Sequence, residues 1–282
     1  MNTPRFHYQR LSSLAPGTSP PVFVMLHGFA GDGSAWEPVA EGLRRMGSVL
    51  LVDLPGHGEN HLPGGPEDCT MEACLGGLED MLIREKLLGG GVPLWWMGYS
   101  MGGRLALYTA IHRPTWVNGL VVESGSPGIQ DLAERQARRE LDEAMARVIL
   151  ERGMESFVEE WLSNPMFRGL KRLAPQIWTA ERNRRLAQNP VGLAASLRGM
   201  GTGAMLPLWD RLPEIRVPTL LLAGMEDSPY VSLAGQMAGA IPGAAVELIP
   251  HAVHLPHVER PEAFLLQVAR FVASHHPLHF PT

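Results

Sequence analysis

The chain has 282 residues, 45% hydrophobic and 19% charged, enough apolar matter for a large core. Its net charge of −5 excludes a strongly basic nucleic-acid binder. It holds no unbroken apolar run long enough to span a membrane, and its two cysteines, Cys69 and Cys74, are too few for a disulfide framework or a structural zinc.

Met1 to Pro21 is polar, broken by prolines, and lacks the apolar segment of a signal peptide, so a reducing cytoplasm is the expected compartment. Short apolar runs then alternate with longer amphipathic ones. Strands are expected at Val22–Leu26, Val49–Leu54, Leu94–Met97, Leu120–Glu123, Thr219–Ala223 and Val246–Ile249. Near-continuous apolar runs such as Val49–Val52 suit strands buried on both faces. Helices are expected at Ala35–Met46, Met71–Leu88, Met101–His112 and Pro261–His275. The pattern is a doubly wound, mostly parallel α/β sheet.

From Ser126 to Trp209 the alternation gives way to helical periods alone. A helical cap over the carboxyl ends of the strands is expected there, with residues 1–125 and 210–282 forming the core and 126–209 the lid. Residues 126–200 carry 12 basic and 10 acidic side chains, against 12 and 19 elsewhere, which hints at an anionic small-molecule ligand. Of the 24 cations 22 are arginines, so a single arginine is weak evidence of a site.

Gly98-Tyr99-Ser100-Met101-Gly102 follows an expected strand and precedes an expected helix. In G-x-S-x-G the turn is too tight for side chains at the flanking positions, and the serine hydroxyl projects from it beside free helix N–H groups. Ser100 is the candidate nucleophile or base. The loop His27-Gly28-Phe29-Ala30-Gly31 follows the Val22–Leu26 strand, and the N–H groups of Phe29 and Met101 are the candidate oxyanion hole. A serine of this kind needs an imidazole and an orienting carboxylate, in the order Ser, acid, His. Asp227, with Glu226 as competitor, follows the Thr219–Ala223 strand. Three histidines follow the last strand; His254 sits mid-loop, between His251 and His257.

These motifs resemble the α/β-hydrolase-fold family over about Val22 to Ser274. The block His254-Leu255-Pro256-His257-Val258-Glu259-Arg260-Pro261-Glu262 is similar to the family's H-x-x-H-x-E-x-P-E, with Val253 where glycine is usual. Val52-Asp53-Leu54-Pro55-Gly56-His57-Gly58 is common in the family. Three further stretches narrow the match: Gly98 through Arg104, Val122 through Ile129, and Glu134-Arg135-x-x-Arg138-x-x-x-Asp142. With Trp161, Phe167 and Arg182 they resemble the 2-succinyl-6-hydroxy-2,4-cyclohexadiene-1-carboxylate synthases of menaquinone biosynthesis.

The resemblance implies a lyase that removes pyruvate from a cyclohexene tricarboxylate, with no metal or organic cofactor. It implies that Tyr99, Trp161 and Phe167 line the substrate pocket and that Arg104, Arg138 and Arg182 bind carboxylates. Residue spacing is compatible. Arg104 lies one helical turn beyond Ser100, and Arg138 continues a stripe with Leu141, Met145 and Val148. Arg182 stands four residues after Trp178. Pairing of Arg138 with Asp142 at i,i+4 is the competing reading. An esterase or carbon–carbon-bond hydrolase with the same triad, and an inactive hydrolase-fold binding protein, are the rival functions.

Overall fold

The computed structural model describes residues 6–15, 20–60, 65–89 and 91–276. Residues 1–5 and 16–19 of the polar N-terminal stretch lie outside that set.

Among the described residues seven strands form one sheet in the order β1-β3-β2-β4-β5-β6-β7. They are β1 (Tyr8–Leu11), β2 (Val22–Leu26), β3 (Ser48–Val52), β4 (Leu94–Tyr99), β5 (Gly119–Glu123), β6 (Thr219–Gly224) and β7 (Ala245–Ile249). All neighbours pair in parallel except β1, which runs antiparallel to β3 at the edge. Every residue of β2 through β6 is buried, as the continuous apolar runs require. The sequence pattern misses β1, because Tyr-Gln-Arg-Leu on a half-exposed edge carries no apolar run.

The helices are α1 (Glu37–Leu43), α2 (Met71–Arg84), α3 (Met101–His112), α4 (Leu132–Ser163), α5 (Pro175–Leu186), α6 (Pro190–Met200), α7 (Ser228–Ala240), α8 (Pro256–Glu259) and α9 (Pro261–His275). One face of the sheet packs on α2, α3 and α7 through residues such as Leu75, Leu105 and Met237. The other packs on α1 and α9 through Val39, Phe264 and Val268, and there Phe157 and Val158 of α4 join the same core. Two expected helices end early. α2 stops at Arg84, where Lys86 turns left-handed at φ 57°, and the expected Ala35–Met46 helix is a 3-10 turn followed by the short α1.

Between β5 and β6 the described chain is helical, from α4 to α6. Asp131 caps α4, its Oδ1 accepting from the Glu134 N–H at 2.8 Å. Within α4 the backbone kinks at Gly153 (φ 79°), and the helix then runs on to Ser163. Only glycine takes that φ cheaply, so α4 is two struts joined at one residue.

Strand register gathers the loops that matter. Leu26 pairs with Gly98, Tyr99 with Glu123, and Gly224 with Ile249, so the loops after β2, β4, β6 and β7 leave the same rim. From β2 the sheet grows one way through β3 and the other way through β4. A crevice opens at such a switch point, and helices inserted after β5 can roof it.

Candidate active site

Ser100 sits at that switch point, between β4 and α3, with φ 50° and ψ −105°. Few side chains tolerate this backbone, which costs about 1–3 kcal/mol. Two hydrogen bonds hold it: the Ser100 N–H to the Glu123 carbonyl at 2.8 Å and the Gly102 N–H to the His27 carbonyl at 3.0 Å. The flanking glycines are needed for space. A Cβ on Gly98 would lie 2.2 Å from the Gly102 oxygen, and one on Gly102 would lie 2.1 Å from the Leu26 oxygen.

The imidazole of His254 faces this hydroxyl, with Nε2 3.3 Å from Ser100 Oγ. Its Nδ1 lies 2.7 Å from Asp227 Oδ2. His254 and Asp227 are both buried. The structure therefore brings together the serine, imidazole and carboxylate singled out in the sequence. The competitors make other contacts. His251 is exposed, in a left-handed turn at φ 59°. His257 is buried, its Nδ1 2.9 Å from Glu123 Oε1 and its N–H donating to the same oxygen. Glu226 borders the cavity too, but its carboxylate is taken up by a two-pronged ion pair with Arg172 at 2.9 and 2.8 Å. Val253, in place of the usual glycine, is fully buried and has no left-handed backbone, so glycine is not required there.

Phe29 and Met101 line the same cavity as Ser100. Met101 opens α3, where first-turn N–H groups lack partners within the helix. The cavity has a volume of about 730 Å³. Leu141, Met145 and Val148 of α4 roof it, and Tyr99, Trp161 and Phe167 wall it. Phe29, Trp161 and Phe167 form an aromatic cluster with ring centroids 5.4–5.5 Å apart. The exposed Leu141 faces this opening, so the stripe read from the sequence roofs a cavity instead of closing a core.

Arg104 and Arg138 reach the cavity too. Arg104 donates to the Met200 carbonyl at 2.9 Å and to the Thr202 hydroxyl, while its buried Nε has no partner. Among the described residues Arg104 makes no ion pair. Burial pulls its pKa down to about 10, so it stays cationic at neutral pH. Arg138 donates from Nε to Asp142 Oδ1 at 2.8 Å, the i,i+4 pair anticipated as the competing reading. Both readings hold. The pair occupies one guanidinium nitrogen, and the side chain still lines the cavity.

Arg182 is a correction. It does not line the cavity, and it reaches Glu155 instead, at 3.9 Å. Helix α5 buries Glu181 and Arg185, one turn apart, and Trp178 is only half-buried. Arg182 is one residue, or about 100°, away from Glu181 around the helix and so leaves the inward face. The buried Arg185 instead pairs with Glu181 at 2.8 Å and lies over the Phe167 ring.

Tyr230, which the sequence reading passed over, lines the cavity with its ring centroid 4.5 Å from that of His254. Its position three residues after Asp227, in the first turn of α7, is the signal that could have found it. Glu259 belongs to the motif that begins at His254. Its carboxylate accepts from the N–H groups of Val253 and Leu255, on either side of His254. Among the described residues no group of three or more His, Cys, Asp or Glu could hold a metal ion, and no helix is long and apolar enough to cross a membrane.

Residues 23–267 match the model of the alpha/beta hydrolase family. The chain belongs to that family. Within it, a putative 2-succinyl-6-hydroxy-2,4-cyclohexadiene-1-carboxylate synthase of Bacillus subtilis is 38% identical over 251 residues, covering 89% of this chain and 90% of that protein. The synthase of the same name from Klebsiella pneumoniae is 32% identical, covering 90% of this chain and 94% of its own. Among solved structures, MenH from S. aureus superposes with a TM-score of 0.89 at 35% identity, over 95% of this chain and 98% of that one. A thermophilic esterase from Thermogutta terrifontis follows at 0.81 and 25%, over 96% and 94%. The family accounts for the elbow, the sheet order and the insertion after β5.

Proposed function

We propose that this hydrolase-family chain is a carbon–oxygen lyase of menaquinone biosynthesis, forming 2-succinyl-6-hydroxy-2,4-cyclohexadiene-1-carboxylate with loss of pyruvate. The substrate would be 2-succinyl-5-enolpyruvyl-6-hydroxy-3-cyclohexene-1-carboxylate. Ser100, its own proton drawn off by His254, removes the proton from the ring carbon beside the succinyl ketone. The electron pair shifts through the ring double bond and the bond to the enolpyruvyl oxygen breaks. The leaving enolpyruvate takes up a proton and becomes pyruvate, leaving the diene in the ring. The N–H groups of Phe29 and Met101 hold the enolate oxygen, and Asp227 holds the imidazole.

The observation that carries this reading is the pairing of Ser100 and His254 (3.3 Å) with a buried arginine, Arg104, that makes no ion pair among the described residues. A hydrolase acting on a neutral ester has no use for such a charge. A substrate with three carboxylates does. Arg138 supplies a second cation, and Tyr99, Trp161 and Phe167 flank the ring. Residues 126–209 act as the cap over a core of residues 1–125 and 210–282. No cofactor enters this chemistry. Cys69 and Cys74 are buried free thiols, in keeping with the cytoplasm as the site of action.

The deciding assay follows pyruvate release from the enolpyruvyl cyclohexene substrate beside hydrolysis of a p-nitrophenyl ester. Pyruvate is expected at turnover rates of about 1–10³ s⁻¹, with ester cleavage orders of magnitude slower. Fast ester cleavage with no pyruvate would favour the esterase reading, which the Thermogutta terrifontis likeness keeps in play. Labelling of Ser100 by a serine-reactive phosphonate would exclude an inactive binding protein.

A further inference from the structure

The imidazole of His254 is held at its ring by Asp227, but ring contacts alone do not fix where the loop puts the ring. The backbone on either side is gripped by one carboxylate. Glu259 Oε2 accepts from the Val253 N–H at 2.8 Å, and Oε1 accepts from the Leu255 N–H at 3.0 Å. Glu259 closes the short buried helix α8, four residues beyond Leu255, and is itself buried. Burial pushes its pKa up, while the two amide bonds pull it back down.

The lid presses on the same carboxylate. Gly169, in the turn between α4 and α5, lies so close that a Cβ there would sit 1.8 Å from Glu259 Oε2. Its backbone, at φ −62° and ψ −40°, suits any residue, so glycine is required there for space and not for conformation. The carboxylate is thus pinned between the amides of the histidine loop and the backbone of the lid.

We propose that Glu259 is a positioning residue for His254: it fixes the loop backbone so that Nε2 meets Ser100, and Gly169 of the lid holds it in place. This rests on the reading of Ser100 and His254 as the proton-transferring pair. A displacement of about 1 Å at such a pair costs on the order of 10²-fold in rate.

The test compares Glu259→Gln, Gly169→Ala and the double variant. Glu259→Gln turns an amide N–H₂ toward one of two N–H donors and breaks half the grip. Its kcat for pyruvate release is expected to fall about 10²-fold, with KM within about threefold because the substrate contacts are untouched. Gly169→Ala keeps the carboxylate but displaces it; about a tenfold loss in kcat is expected, and the double variant should be no worse than Glu259→Gln alone. Phosphonate labelling of Ser100 should slow in parallel. Labelling reads the serine–imidazole pair whatever the substrate. Slowed labelling in the variants therefore upholds the proposal even if the wild-type protein releases no pyruvate. Folded variants, by an unchanged near-ultraviolet spectrum, with wild-type kcat and labelling would overturn it, as would losses that multiply in the double variant. If Glu259→Gln does not fold, Gly169→Ala decides by the same two readouts.

Discussion

Ser100→Ala is expected to lower kcat for pyruvate release by at least about 10³-fold while leaving KM within a few-fold, measured by continuous pyruvate detection. The variant removes one oxygen atom. The bond from the residue-100 N–H to the Glu123 carbonyl, the Cβ and the tight glycine contacts that shape the elbow all remain. Stability should therefore be unchanged within about 0.5 kcal/mol. His254 and Asp227 stay in place, with the imidazole Nε2 facing an oxygen that is no longer there, and the cavity keeps its arginines. Binding persists and proton transfer fails. A variant that retained wild-type kcat would remove Ser100 from the chemistry and with it the proposed mechanism.

The second large effect is at Arg104, where function and stability should part company. Arg104→Met is expected to lower kcat/KM by about 10²–10³-fold, the worth of one or two charge-assisted hydrogen bonds to a carboxylate. Its thermal midpoint should hold or rise. In the free protein this guanidinium is buried, has one nitrogen without a partner and makes no ion pair among the described residues. A buried guanidinium without an ion pair carries a desolvation cost that an apolar side chain of similar volume does not. Loss of the bonds to Thr202 and the Met200 carbonyl offsets part of that gain. Arg138→Ala should cost less, about tenfold, because its side chain is 40% exposed and already tied to Asp142. Arg182→Ala should stay within about twofold of wild type, as a surface change away from the cavity. A fall in kcat/KM with Arg182→Ala as large as with Arg104→Met would contradict the placement of both.

The strands β2 to β7, α3, α9 and the insertion are legible in the sequence because each depends on local signals. A continuous apolar run marks a strand buried on both faces, and Gly-x-Ser-x-Gly marks the elbow. Asp227 and His254 are legible for the same reason, since chain order and strand ends alone nominate them. Side-chain direction on the lid helices is less so. Periodicity selects Arg182 through Trp178, but α5 buries Glu181 and Arg185 by pairing them, so a charged pair sets the inward face where an apolar stripe is absent. β1 is hidden because an edge strand satisfies one row of hydrogen bonds and need not be apolar. The grip of Glu259 could not be read at all. A carboxylate facing two backbone N–H groups leaves no mark in residue type.

The lid is fastened to the body by bonds of two kinds. Near α5 and α6, Gln188 donates to Asp32 at 3.1 Å and accepts from the Gly58 N–H at 2.9 Å, beside the loop after β2. Near Gly169, the fastening is the half-exposed ion pair between Arg172 and Glu226, one residue before Asp227. Dissolved electrolyte weakens an ion pair in water over a Debye length of about 8–10 Å, whereas a hydrogen bond from an uncharged amide is little affected. Ionic strength therefore acts more strongly on the side beside the acid loop than on the end near α5, where the ion pair of Arg184 with Asp32, 3.6 Å apart, is largely buried and so less screened.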